Sequence, residues 1–516
     1  MISIPFNKPP FFPDSFKVAI QLACDVGKFS GDGPNSKNVC KFFSETFGYD
    51  RSLLTPSCTA SLEMAALILD LKPGDEVIVP AFTFVTSANA FALRGVTIVF
   101  ADSEEGSPNV SVSSILSKVT EKTKAIVVVH YAGVPVDIHQ ILKETNHSIP
   151  VVEDCAHAIG SIDPRTGDII GKAGCLSTFS FHETKNIGIG EGGLLVVNDP
   201  DLWRMAQMVR EKGTNRVDFL NGKVDKYTWV SLGSSYLMSD IDAAMLWSAL
   251  QHYQEIQDHR LAIWDHYDQT LAANSIFKKP PRDVRANAHM YYLEFSQPEL
   301  LQDFSKALKE EGILVATHYI PLDTSPFIIE DYCGGTKGIT DAYCTRAYQW
   351  SKALVRLPLF HTLTLAEMSK VSAVINSYTS AKGMTLVAAT EDHWETIRIL
   401  RNTDSECFLH TEMIEKAEHW NFMGKYHSTY RVAIEDGECI GFIGHVNKDA
   451  RLATSAKSKG VAQFMWKTFA QEFDDLDVKV LVENKRCLAF FRKQGYVPDT
   501  NVEQNGPCVS LMKVQD

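Results

Sequence analysis

Between about residues 50 and 200 the chain switches repeatedly between two periods, and that alternation limits its possible folds more than any other feature. The β-branched runs EVIVP (76–80), VTIVF (96–100), AIVVVH (125–130), PVVED (150–154) and GLLVVN (193–198) read as buried strands. Between them lie helical patterns such as SLEMAALILDL (61–71), which sets Leu62, Ala65, Ala66 and Leu69 on one face. Strands that are apolar throughout need cover on both faces, so the pattern predicts helices packed over a mostly parallel sheet. Ligands in such sheets bind beyond the carboxyl ends of the strands. Residues 200–260 read as helical, and 290–378 as a smaller α/β lobe.

At 516 residues the chain exceeds what one hydrophobic core comfortably holds. The pattern breaks at YTSAKG, which predicts a linker at 379–383 between units spanning 1–378 and 384–516. In the second unit TLVAA (385–389) reads as a strand, and 392–401 and 409–418 as helices. STYRVAIE and ECIGFIGHV flank Asp436-Gly437, a strong hairpin signal. The units share no pattern, so two separate tasks are expected. A formal charge of −13 argues against nucleic-acid or anionic-membrane partners, but leaves small anions open, since helix N-termini hold phosphates on acidic proteins. The 11 cysteines form no CxxC pairs, so neither a zinc site nor a disulfide framework is indicated, and reduced thiols are expected. With no signal pattern at the start and no apolar run near the ~20 residues a membrane span needs, a cytoplasmic protein is expected.

The most informative stretch is STFSFHETKNIGIGEGG (177–193), where Lys185 ends a short apolar strand and a glycine-rich segment follows. A lysine that bonds to a bulky aldehyde cofactor needs a rigid element to aim it and yielding backbone beside it. In VVEDCAHAIG (151–160), Asp154 stands at the carboxyl end of a strand, where it could keep a pyridinium nitrogen protonated or merely cap the next helix. TPSCTASLEM (55–64) puts Ser57 and Thr59 at a helix N-terminus, suited to a phosphate or to ordinary capping. Phe84, after the strand in PAFTFVTSANAF (80–91), could stack on a ring or belong to the core.

Taken together, these residues resemble the DegT/DnrJ/EryC1/StrS sugar aminotransferases over about residues 3–378, including FSFHETKN. The resemblance implies a fold-type I aminotransferase, with a mostly parallel seven-stranded sheet and a small α/β lobe, that uses pyridoxal 5′-phosphate (PLP). Lys185 would then bond to the cofactor, Asp154 would pair with its pyridinium nitrogen, and His157 would lie near its phenolic oxygen. Cys58, Thr59 and Ser180 fall on phosphate-contacting positions and Phe84 on the ring-stacking one. Ser235 falls where many relatives use Asn to reach the phosphate from the neighbouring subunit, which implies a homodimer with shared active sites. GTNR (213–216), VDKYTW (224–229) and GSSYLMSD (233–240) are similar to the branch that aminates dTDP-4-keto-6-deoxyglucose at C4, which implies a dTDP-sugar substrate and glutamate as donor. HYIPLDTSP (318–326) departs from that branch, with Asp323 where His is common. Related dehydratases carry histidine at the lysine position, so Lys185 favours transamination.

In the second unit ARLATSAKSKGVAQFMWKTF (450–469) reads as strand, basic glycine loop and helix, with Val461, Phe464, Met465 and Phe469 as a buried stripe. The loop offers backbone amides and two cations, Lys457 and Lys459, at a helix N-terminus; this suits a pyrophosphate, or is a solvated basic loop. VKVLVENKRCLAFFRKQGYVPD (478–499) adds a strand, Asn484, a helix and Gly495-Tyr496. Together these resemble the GNAT acyltransferases over about 384–516, an α+β fold, with Lys457-x-x-Gly460-x-Ala462 as the pyrophosphate motif. The resemblance implies acetyl-CoA as co-substrate, held by Lys457, Lys459, Gly460, Val461 and Ala462, with Asn484 near the pantetheine arm. Phe491 stands where many members carry a tyrosine acid, and His445 and Glu483 read as structural. The expectation is amination followed by N-acetylation, giving a dTDP-4-acetamido-4,6-dideoxyhexose, the galacto form by branch resemblance. The alternatives are a second unit that serves only as an interaction module, and a first unit that binds PLP as a regulator.

Overall fold

The computed structural model describes residues 3–10, 12–332, 344–382, 384–403, 413–435, 438–446, 449–454, 461–472, 478–481, 491, 496–498 and 508–513. The chain divides into a unit of Met1–Asp268 with Pro280–Ser369 and a unit of Gln269–Lys279 with Lys370–Asp516.

The first unit is built on strands β1 (Ser52–Thr55), β2 (Glu76–Pro80), β3 (Thr97–Ala101), β4 (Thr123–Val129), β5 (Val151–Asp154), β6 (Leu176–Ser180) and β7 (Gly193–Val197). Their order is β1-β7-β6-β5-β4-β2-β3, with β3, β2, β4, β5 and β6 pairing in parallel and β7 running antiparallel to β6 and β1. The mostly parallel arrangement is the one the alternation predicts, and the seven strands are what the resemblance implies. β1 carries no readable period, because it is only four residues long and mixes polar Ser52 and Thr55 with two leucines. Helices Val112–Ser117 and Ile138–Glu144 bury Ile115, Ile138 and Ile141 against Ile78, Ile126 and Val128, while the alternate residues Val77, Val79 and Val127 are buried too. Leu62, Ala65 and Ala66 of the helix Cys58–Ile68 are inaccessible to solvent, and Leu69 is half-buried at its C-cap.

Glu153 and Asp154 are neighbours on β5 and so point to opposite faces. Glu153 is buried and accepts hydrogen bonds from the N–H groups of Gly171 (3.0 Å) and Gly174 (2.6 Å) and from Ser177 Oγ (3.3 Å). His130 Nδ1 accepts from the Val136 N–H (3.1 Å), which leaves Nε2 to donate to Glu153 at 2.9 Å. His130, Glu153 and Cys155 lie together, but these bonds make the group a clamp that fixes the segment leading into β6.

One expectation changes in this unit, and the expected α/β lobe is present. The 200–260 region holds helices Trp203–Arg210, Arg216–Leu220, Asp240–Leu250 and the start of Tyr253–Thr270, yet 221–239 is irregular. Gly222 adopts φ +69°, and a Cβ on Gly233 would lie 2.6 Å from the Val209 oxygen, so glycine geometry interrupts the helical run. The small lobe contains antiparallel strands Tyr292–Phe295, Leu354–Arg356 and Ala316–Thr317, with Leu354–Arg356 between the other two. The helix Leu300–Glu310 buries Leu301, Phe304 and Leu308.

In the second unit strands Thr385–Ala388, Tyr430–Glu435, Glu438–Val446 and Asp449–Thr454 form an antiparallel sheet, extended at one edge by Ala273–Asn274. The predicted hairpin pairs as expected, its Asp436-Gly437 tip lying outside the described residues. Val461, Met465 and Phe469 of the helix Val461–Glu472 pack on Leu386, Ala433 and Ile443, with Phe464 half-buried beside them. Strands Val478–Leu481, Cys508–Lys513 and Tyr496–Pro498 form a second antiparallel sheet. Of the helix expected at 409–418, residues 409–412 lie outside the described residues; among the described ones it begins at Lys416, after Ile414, whose N–H and carbonyl are both tied to the Asn402 amide. The stretch 379–382, expected as a linker, is the last turn of the helix Leu365–Lys382, where Thr379 is buried and bonds to the Asn376 carbonyl. There the loss of apolar residues marks a helix end. Among the described residues no helix is long and apolar enough to cross a membrane.

Burial alone would raise the Glu153 carboxyl, yet the His130 contact and the amides of Gly174 and Gly171 hold it below its ordinary value. A depressed folded value means stability that is present above the unfolded value and lost as pH falls through the folded one. Glu153→Ala therefore lowers unfolding stability by about 3 kcal/mol at pH 7. The difference from the unaltered protein shrinks below about pH 4. Denaturant unfolding at the two pH values checks both statements.

Candidate active site

The carboxyl end of β5 delivers Asp154, which is 5% exposed. Its Oδ2 accepts from Ser87 Oγ (2.8 Å), and its Oδ1 from the Ala156 N–H (3.1 Å). Ser87 in turn is bonded to Thr83 (2.9 Å). No helix follows for Asp154 to cap, since residues 155–160 form turns. Burial pushes the carboxyl above its ordinary value, against the pull of Ser87, Ala156 and Lys185.

Lys185 does not end a strand. β6 stops at Ser180, and Lys185 sits five residues on in a turn closed by its N–H on the His182 carbonyl (2.9 Å). The apolar run is aimed by β6, but the returning segment fixes the turn, with Glu183 N–H donating to Gly190 (3.0 Å) and Phe181 N–H to Gly192 (2.9 Å). The next residue anchors it: Asn186 is buried, donates to the Asn287 carbonyl (2.8 Å) and accepts from His289 Nδ1 (2.8 Å). Burial lowers the Lys185 ammonium, opposed by Asp154 and assisted by Arg356.

His157 lies in the turn after β5, 5% exposed and stacked on His289 at 4.2 Å. Asn287 holds that turn by donating to the carbonyls of His157 (2.8 Å) and Ile159 (3.0 Å). His157 Nδ1 is buried without a hydrogen-bond partner. Tyr131 meets the His157 ring edge-on and shares a 2.9 Å hydrogen bond with His318 Nδ1, and His318 stacks on Tyr319 at 3.9 Å. Burial pushes all three imidazoles, His157, His289 and His318, far below the ordinary histidine value, so they are uncharged at neutral pH.

The helix Cys58–Ile68 is capped by Ser57 Oγ, which accepts from the Ala60 N–H (3.1 Å). The N–H groups of Cys58 and Thr59, as in any first helical turn, have no intrahelical acceptor. Cys58 Sγ reaches Thr178 Oγ1 of β6 at 3.5 Å, and its thiol, raised by burial, responds to both Asp154 and Lys185. A Cβ on Gly193 of β7 would lie 2.6 Å from the Cys58 nitrogen, so only glycine lets that strand pass so close to the helix start. Ser180 ends β6 and accepts from the His182 N–H at 3.3 Å. Phe84 is 56% exposed, its ring 6.2 Å from that of Tyr319, so it is not a core residue. Ser235 is exposed and bridged to Glu211, and among the described residues no hydrogen bond or ring contact joins it to the Lys185 cluster. Asp323 accepts from the Cys344 N–H at 2.8 Å.

The sequence reading missed Ser87, Tyr131, Asn287, His289, His318, Tyr319 and Arg356. Ser87 lay inside PAFTFVTSANAF and the HY pair at 318–319 inside HYIPLDTSP, but nothing local marked the others.

In the second unit Lys457, Lys459, Gly460, Glu483 and Asn484 lie outside the described residues. Val461 opens the helix Val461–Glu472 and is buried, with Ala462 half-buried beside it. Phe491 packs edge-on against Trp466 at 4.8 Å, a core contact. His445 lies on Glu438–Val446, its ring 6.1 Å from Phe469.

A bound PLP needs an amine for its aldehyde, a carboxylate for its ring nitrogen, donors for its phosphate and a partner for its phenolic oxygen. Lys185, Asp154, the helix start at Cys58 and the unpartnered Nδ1 of His157 meet those needs, so the residues present fit the group.

Comparison with known proteins agrees. The model of the DegT/DnrJ/EryC1/StrS aminotransferase family matches residues 14–376. Among solved structures, the aminotransferase TlmJ from Streptoalloteichus hindustanus is similar at 25% identity and TM-score 0.64, covering 73% of this chain and 98% of its own. DesV of S. venezuelae is similar at 25% identity and TM-score 0.64, covering 73% and 99%. Helicobacter pylori PseC, an aminotransferase involved in the biosynthesis of pseudoaminic acid, shares the fold at 24% identity and TM-score 0.64, covering 72% and 98%. With its sheet, its lysine turn and the family match over most of its length, the chain belongs to the DegT/DnrJ/EryC1/StrS aminotransferase family.

Proposed function

We propose that the first unit is a PLP-dependent sugar aminotransferase that moves the amino group of glutamate onto C4 of dTDP-4-keto-6-deoxyglucose, and that the second acetylates the new amine. The observation that carries the first half is one buried carboxylate at the end of β5, Asp154, within electrostatic reach of an amine that burial weakens, Lys185, in the turn after β6.

Bound there, PLP supplies an electron sink that makes a C–H bond beside nitrogen acidic. The chain supplies the rest. Lys185 Nζ, its basicity lowered by burial, takes the proton from the substrate carbon and returns it, as base and then acid. Asp154, fixed by Ser87 and the Ala156 amide, keeps the ring nitrogen protonated. His157 offers its unpartnered nitrogen to the phenolic oxygen. Cys58, Thr59 and Ser180 would hold the phosphate at the helix start, and Phe84 would cover the ring. Ser235 reaches the phosphate of a neighbouring subunit in a homodimer. In support, exposed Phe219, Leu220, Tyr227, Trp229, Val230 and Leu232 cluster in sequence around the same segment, with Trp229 at 74% exposure. The C4 assignment and the glutamate donor rest on GTNR, VDKYTW and GSSYLMSD.

The second half is supported by element order: strand, two helices, three antiparallel strands, then a helix preceded by the basic glycine loop, as in GNAT acyltransferases. Lys457, Lys459, Gly460, Val461 and Ala462 would hold the pyrophosphate of acetyl-CoA, and Asn484 the pantetheine arm. The first reaction makes a primary amine and the second consumes one, so one chain raises the local concentration of the intermediate. The product is a dTDP-4-acetamido-4,6-dideoxyhexose, the galacto form.

Lys185→Ala abolishes the cofactor's lysine-bound absorbance and lowers transamination by about 10³-fold or more. Asp154→Ala retains cofactor but slows turnover by roughly 10²- to 10³-fold, read from stopped-flow rates. Incubated with dTDP-4-keto-6-deoxyglucose, glutamate and acetyl-CoA, the enzyme yields the N-acetylated sugar by mass spectrometry. Accumulation of the free amino sugar refutes the second activity and leaves that unit as an interaction module.

A further inference from the structure

The turn after β6 carries Lys185 and the turn after β5 carries His157, and one distant segment, Asn287–Ala288–His289, bonds to both. Asn186, next to the lysine, donates from Nδ2 to the Asn287 carbonyl at 2.8 Å. A carbonyl only accepts, so it is Oδ1 of Asn186 that faces His289 at 2.8 Å, and His289 Nδ1 must carry the proton between them. Asn287 Nδ2 donates to the carbonyls of His157 and Ile159, which leaves its Oδ1 to accept from the His289 N–H at 3.1 Å. His289 is thereby tied to the lysine turn. Its ring lies 4.2 Å from the His157 ring, with 19° between the planes.

The segment that presents His289 is itself forced into shape. Ala288 is buried with φ +48°, in the left-handed region that a residue with a Cβ rarely adopts. Its N–H donates to the Arg285 carbonyl at 2.8 Å. The buried Arg260 guanidinium donates to the carbonyls of Ala288 (3.1 Å) and His289 (2.7 Å). Such a backbone persists only where its surroundings over-determine it, and here they fix the one imidazole that faces another. The His157 ring has no bond of its own at Nδ1, so what sets its plane is the stack on His289 and the edge-on contact with Tyr131. Lys185, His318 and Arg356 act on both imidazoles and Arg260 on His289, and with burial they keep the two rings uncharged.

We propose that His289 is a positioning residue: carried on the forced turn and anchored on Asn186, it holds the His157 ring at the angle from which that ring donates to the phenolic oxygen of the cofactor. This rests on the assignment of His157 to that oxygen. A donor there stabilises the oxygen's negative charge, and so eases loss of the proton that the oxygen shares with the lysine-bound nitrogen. The flat face of His289 is then what matters to His157, because the stack is the contact between them.

The lysine-bound absorbance of the PLP-loaded protein, titrated with pH in the absence of substrate, reads this directly. His157→Ala raises the midpoint by about one unit, as expected for a lost hydrogen bond to a charged oxygen. His289→Gln, which keeps a donor for Asn186 but has no ring, raises it by a comparable amount. His289→Phe, which keeps the ring without the donor, raises it by less than about a third as much. In the His157→Ala background neither change at 289 moves the midpoint further. An unshifted midpoint in His289→Gln overturns the proposal, as do equal shifts in the two variants or a shift that persists without His157. A variant that holds no cofactor marks His289 as merely structural and overturns it too. If His157→Ala titrates like the unaltered protein, the assignment of His157 falls first, and the positioning role falls with it.

Discussion

A single buried strand carries two adjacent carboxylates that do opposite jobs, and the first unit is organised around that pair. Because successive side chains on a strand face opposite ways, Glu153 turns into the scaffold and Asp154 into the site. Glu153 takes four donors from His130, Gly171, Gly174 and Ser177, which fixes the segment that enters β6. β6 then sets the origin of the turn bearing Lys185. The reach between carboxylate and amine is therefore set by hydrogen bonds on the sheet's other face.

The residues around Lys185 suit the role of base and acid proposed for it. Burial withdraws part of its affinity for the proton, and Asp154 restores some of it. The three neighbouring imidazoles are uncharged, so they offer hydrogen bonds without adding a competing cation. The remaining positive charge is Arg356, held on Phe6 and poorly supplied with acceptors.

Much of this was legible in the sequence, for definable reasons. The parallel sheet announced itself because strands buried on both faces must be apolar throughout, and four such runs become β2 to β5, while the fifth, GLLVVN, is the antiparallel β7. Asp154 and the helix start at Cys58 stood out because each lies beside a strand end, and Lys185 because a glycine-rich segment follows it. What escaped was carried by long-range contact: Asn287 reaches His157 across 130 positions, and His289 meets Asn186 across 103. Local period cannot report such pairs. Nor could it place Lys185 correctly, since FSFHETK continues the apolar run past the point where the turn's own hydrogen bonds take over from β6. The irregular 221–239 segment and the helix through 379–382 have other reasons, glycine packing in the first and, in the second, a buried threonine bonded to the carbonyl three residues back.

The account stands on a covalent bond between the cofactor aldehyde and one ε-amino group. Reducing the PLP-loaded protein with borohydride fixes that bond irreversibly, and peptide mass mapping then locates the label. The account predicts a single phosphopyridoxyl group on the peptide containing Lys185; a label on another lysine, or none, would contradict it.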